Sequence, residues 1–143
     1  MAYLPSFLLS GNPVWFNPTS HDLRAALAAH LGVTLENVMV GEGIDGLLGN
    51  LVRLLVVPGD AVVKSDGAYP TFNYHVAGFG GVLHKVPYAG DTEDLPALIA
   101  RAHEVDARLV YFANPDNPMG SWVPGAAIAA ALRDGAWLAH VQG

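Results

Sequence analysis

The feature that most limits what this chain can fold into is its rhythm: short β-branched or aromatic runs alternate with stretches of helical apolar spacing, and glycine or proline marks nearly every change. Leu23, Ala26, Leu27 and Leu31 predict a first helix, with Thr19 or Ser20 able to cap it and Gly32 to stop it. A short strand is expected at Asn37 to Val40, then a glycine turn, then a helix on Ile44, Leu47, Leu48, Leu51 and Leu55 that Pro58-Gly59-Asp60 ends. Strands follow at Ala61 to Ser65, Val82 to Val86, Arg108 to Ala113 and Ala136 to Val141. Between them the pattern predicts helices from Pro70 to Gly78, through Leu95, Leu98, Ile99, Ala102 and Val105, and from Pro124 to Arg133. Asp91 or Thr92 is the expected cap of the helix that carries Leu95. Such alternation predicts an α/β fold, a mostly parallel sheet with flanking helices whose ligand sites lie at the carboxyl ends of the strands.

The 143 residues suffice for one core, and a chain 52% apolar and 14% charged has the means to bury one. No apolar run approaches the roughly 20 residues that span a bilayer, so no membrane partner is expected. With a net charge of -6 and its basic residues scattered, the chain offers no basic stripe to nucleic acid. It has no cysteine, which fits a reducing compartment, and a cytoplasmic location is the default expectation. Its six histidines lack ligand spacing, so no metal site is expected.

Gly41-Glu42-Gly43-Ile44-Asp45-Gly46 is placed to open a helix, where free backbone N–H groups and the positive helix end would converge on an anion. The same residues match the dinucleotide fingerprint GxGxxG, and Asp66 falls where a ribose-binding acid would stand. A tight turn without ligand, a dinucleotide site and another phosphate site all remain open on this motif alone.

Further segments carry a resemblance. Tyr69-Pro70-Thr71-Phe72-Asn73-Tyr74-His75 and Asn114-Pro115-Asp116-Asn117-Pro118-Met119-Gly120 follow the glycine turn in an order and spacing similar to fold type I pyridoxal-phosphate aminotransferases, in particular the histidinol-phosphate aminotransferase-like branch. The resemblance covers nearly the whole chain. It implies residues 1–18 as an N-terminal arm and 19–143 as part of the cofactor-binding large domain. It implies pyridoxal 5'-phosphate as cofactor, with Gly43, Ile44 and Asp45 on its phosphate, mainly through backbone N–H. Phe72 would stack on the pyridine ring, Asn117 would donate to the phenolic oxygen, and His75 would stand behind the site. Amino-group transfer between an amino acid or amine and a keto acid is the implied reaction, and a homodimer or self-association the implied assembly.

This sequence also departs from the family. Met119 replaces a threonine, and Trp15 stands where relatives often place a tyrosine that reaches the neighbouring subunit's phosphate. Val141 and Gln142 stand where relatives carry an Asp-Glu pair. The Schiff-base lysine of such enzymes lies beyond the region matched here. Lys64 and Lys85 precede the Asn-Pro loop and are expected to be surface residues on strand ends. The chain is therefore expected to be truncated and inactive alone. A dinucleotide-binding module and a fragment that binds no small molecule are the alternative readings.

Overall fold

The structure, a computed structural model, describes residues 20–133 and 138–141; the expected arm, Trp15 and Gln142 lie outside them. The chain divides after Val40 into two compact units. In the first, helix α1 (His21–Leu31) stops at Gly32, whose left-handed φ of 68° turns its N–H back to the Ala28 carbonyl. Ser20 holds the N-cap position but makes no side-chain cap bond. Leu23 and Leu31 are exposed, and Ala28 is the buried residue of the helix.

The strand expected at Asn37 to Val40 is not formed. Leu35–Asn37 is a short 3-10 turn instead. The Arg24 guanidinium donates to the Leu35 carbonyl at 2.9 Å and the Val38 carbonyl at 2.7 Å, taking acceptors that a neighbouring strand would need.

The second unit contains four parallel strands: β1 (Ala61–Ser65), β2 (Val82–Val86), β3 (Leu109–Ala113) and β4 (Leu138–Val141), in the order β2-β1-β3-β4. Helix α2 (Gly43–Leu55) precedes the sheet, and α3 (Thr71–Gly78), α4 (Leu95–Glu104) and α5 (Gly125–Arg133) are the crossovers that parallel strands require. Asp94, not Asp91 or Thr92, caps α4 by accepting from the Ala97 N–H at 3.0 Å. Ala89 and Thr92 instead bond each other across a tight turn, so the helix can begin only after it.

Alternation along β3 divides the core into two layers. Leu109, Tyr111 and Ala113 pack with Leu48 and Val52 of α2 and Phe72 and Val76 of α3. Val110 and Phe112 pack with Leu95, Leu98 and Ile99 of α4 and Ile128 of α5. With helices on both faces, β3 is buried along its whole length. Each fully buried valine or leucine here contributes about 1.5–3 kcal/mol relative to exposure. Among the described residues no helix is long and apolar enough to cross a membrane.

The sheet order decides where a ligand can enter. From β1 the chain crosses outward to β2, and from β3 it crosses the other way to β4. The carboxyl ends of β1 and β3 therefore flank the switch-point crevice characteristic of open α/β sheets.

Candidate functional site

Two candidate segments leave the strands at that crevice. β1 runs into the turn before α3, and β3 runs into the Asn-Pro loop. This loop is closed by the Asn114 side chain, which donates to the Val123 carbonyl at 3.1 Å and accepts from the Val123 N–H at 2.8 Å. A second closure comes from Gly120 N–H to the Asp116 carbonyl, 2.8 Å, with Gly120 at a φ of 72° that favours glycine. Asn117 is left exposed at the tip. No hydrogen bond joins its side chain to another candidate among the described residues.

The glycine turn opens α2. Gly43 has a φ of 71°, and a Cβ added there would meet nothing within 4 Å, so the space before the helix start is open. No side chain caps this helix, and among the described residues no acceptor engages the Ile44 or Asp45 N–H. The Asp45 carboxylate lies 3.1 Å from His75 Nε2, joining α2 to α3. The His75 ring also lies against Gly49, one turn further along α2, where a Cβ would come within 2.8 Å of it. The structure thus brings Asp45 and His75 together, and Ile44 packs beside the cluster that holds Phe72.

Phe72 is 1% exposed and stacks on Tyr111 with ring centroids 4.7 Å apart at 22°. Its ring is a core element in this conformation, and a ligand ring would reach it only by displacing a neighbour.

The expectation for Lys64 is overturned. Lys64 is completely buried, and its Nζ donates to the Ala68 carbonyl at 2.6 Å, the Tyr69 carbonyl at 3.2 Å and Asn73 Oδ1 at 2.9 Å. Burial, and secondarily the charge of Lys85, lowers its pKa to about 8. A charged residue inside a parallel strand was the available signal, because a strand covered by helices on both faces has no solvent side. Lys85 is half-exposed and pairs with Asp66 at 2.8 Å, which holds that carboxyl below its usual range.

A buried polar group was also missed. Glu93 and Asp116 are 3% and 4% exposed. Ser65 Oγ donates to Glu93 at 2.6 Å, the Ala113 N–H at 3.0 Å, and the Tyr88 hydroxyl donates to Asp116 at 3.0 Å. Burial raises Glu93 to about 7, Tyr111 to about 12 and Tyr88 further still. No spacing in the sequence joins these positions; the sheet does. A cavity of about 690 Å³ between α4 and α5 lies on the other face of the sheet from α2, away from the glycine turn. No cluster of three or more metal-ligating side chains occurs among the described residues.

The family model for aminotransferase class I and II matches residues 14–134. The chain belongs to the class I and II aminotransferases. The histidinol-phosphate aminotransferase of Moorella thermoacetica is 38% identical over 111 residues, covering 78% of this chain and 28% of that protein. The crystal structure of histidinol-phosphate aminotransferase from Sinorhizobium meliloti in complex with pyridoxal-5'-phosphate superposes with a TM-score of 0.83 at 53% identity, over 88% of this chain and 35% of that one. A histidinol-phosphate aminotransferase-like protein of Erwinia carotovora shares the fold with a TM-score of 0.77 at 20% identity. The chain thus spans about a third of the length of the aminotransferases it matches.

The residues present at the glycine turn fit a phosphate. The aminotransferase chain offers two adjacent N–H donors without acceptors among the described residues at a helix N-terminus, and open space in front of Gly43. Asn117 is exposed and able to donate. Phe72 in its present packing offers no free ring face.

Proposed function

We propose that these residues form the pyridoxal-phosphate cradle of an aminotransferase that moves an amino group between an amino acid or amine and a keto acid. The Ile44 and Asp45 N–H groups, unpaired among the described residues behind the left-handed Gly43, carry this reading, given the family to which the chain belongs. In it, Gly43, Ile44 and Asp45 hold the phosphate at the positive end of α2. His75 draws the Asp45 carboxylate toward α3, so that a negative side chain is engaged beside the anion rather than free. Asn117 donates its amide N–H to the phenolic oxygen, and Phe72 supports the ring once its packing against Tyr111 adjusts. When bound, the cofactor supplies an electron sink for the substrate carbon.

Neither lysine of these 143 residues suits the nucleophilic role in this proposal. Lys64 spends its three hydrogen bonds inside the core, and Lys85 pairs with Asp66 at the surface. The 143-residue chain by itself is therefore proposed to bind cofactor without transferring amino groups.

The dinucleotide reading needs a strand before the glycine turn and a free acid after the next one. Residues 37–40 form no strand, and Asp66 is engaged by Lys85. Titration calorimetry with pyridoxal phosphate and with a nicotinamide dinucleotide separates the two. Binding of pyridoxal phosphate that weakens in Asn117→Ala is expected. Dinucleotide affinity without any for pyridoxal phosphate would reverse the assignment.

A further inference from the structure

β1 and β3 pair only at Val62 with Leu109 and Val63 with Val110. Beyond those residues the ladder between them stops, although each strand continues to Ser65 and Ala113. The Glu93 carboxylate spans this gap. One oxygen accepts from Ser65 Oγ, the last residue of β1, and the other from the N–H of Ala113, the last residue of β3. Three residues after Ala113 the loop turns Asp116 inward. Its Oδ2 accepts from the Tyr88 hydroxyl, but its Oδ1 is buried with no hydrogen-bond partner among the described residues. A buried carboxylate oxygen without a donor is costly, and an acid proton on the neighbouring Glu93 is the donor that would satisfy it.

We infer that Glu93 is a positioning residue that shares one proton with Asp116, and that this proton fastens the Asn-Pro loop bearing Asn117 to the ends of β1 and β3.

The surrounding charges favour one proton between the two acids. Lys64 is the only buried cation among the described residues, and it points to the other face of β1 with its N–H groups already used. Tyr88 from the end of β2 and Tyr111 of β3 stay protonated at neutral pH, both held up by burial. Asp94 is turned away to cap α4, and His103 of α4 lines the cavity that Glu93 borders. Two ionised carboxylates here would face each other with a single buried cation; one shared proton leaves the set neutral. Burial first, and repulsion from Asp116 as well, raises Glu93 to about 7, so the proton is held below that pH and released above it. Release leaves both acids charged and weakens the attachment of the loop.

The inference rests on the cofactor reading only for the role of Asn117, and a ligand-free experiment keeps the two apart. In the 143-residue chain without cofactor, the Glu93 side-chain carboxyl carbon, the Ala113 amide and the Asn117 side-chain amide are followed by NMR through a pH titration. All three are expected to move with one midpoint, near the value of about 7 held by Glu93. In Glu93→Gln the amide donates to Asp116 permanently, so the Ala113 and Asn117 signals should remain at their acid-side positions. In Asp116→Asn the Glu93 midpoint should fall, since repulsion is replaced by an amide donor. An ordinary Glu93 midpoint, or a Glu93 midpoint unmoved by Asp116→Asn, overturns the inference. So does a loop response that persists in Glu93→Gln.

Discussion

Lys64 gives the sharpest energetic test of this fold. Its side chain is fully buried, and desolvation lowers its pKa from 10.5 to about 8. Between those values the folded chain has released a proton that the unfolded chain still holds, so stability rises with pH through that window. The lowering from 10.5 to about 8 corresponds to about 3 kcal/mol. Below about pH 8 both states carry the proton and the contribution is flat. The informative quantity is the difference between the unsubstituted chain and Lys64→Met, which keeps the apolar stem and removes the charge. Urea unfolding at a series of pH values should show that difference growing in favour of lysine by about 3 kcal/mol between pH 8 and 10.5. A difference that stays constant across the window would return Lys64 to the strand surface and refute the burial argument.

Phe72→Ala should cost about 3–5 kcal/mol by chemical denaturation, because the ring is buried against Tyr111, whereas an exposed ring would lose less than about 1 kcal/mol. Gly49→Ala should destabilise the chain by about 1–3 kcal/mol and shift the His75 ring resonances, since the new Cβ meets that ring at 2.8 Å. Unmoved His75 resonances would show that α2 and α3 can part without strain.

The elements of the sheet were legible because their signals are local. Val62, Val63, Val110 and Phe112 lie in short β-branched or aromatic runs, and Leu95, Leu98, Ile99 and Ala102 repeat with the helical period. The Asn-Pro loop and the glycine turn could likewise be read as motifs, since each is a contiguous set of residues with its own backbone demands. Errors arose where a distant group intervened. Arg24 takes the Leu35 and Val38 carbonyls beside the 3-10 turn Leu35–Asn37, where Asn37 to Val40 was expected to be a strand, and the Ala89–Thr92 pair moved the α4 cap to Asp94.

By itself the sequence determined the alternating α/β plan and the family resemblance, and marked the glycine turn and the Asn-Pro loop as motifs, because periodicity and short motifs act within one segment. Tertiary structure alone decided the company those residues keep. Phe72 became a core ring through Tyr111, thirty-nine positions away, and Asp45 met His75 across two helices. Lys64 lost its solvent, while Glu93 and Asp116 became neighbours at the gap between β1 and β3. The physical reason is the same in each case: desolvation and hydrogen-bond partnership depend on which segments the sheet order sets side by side, and no spacing along the chain encodes that order directly.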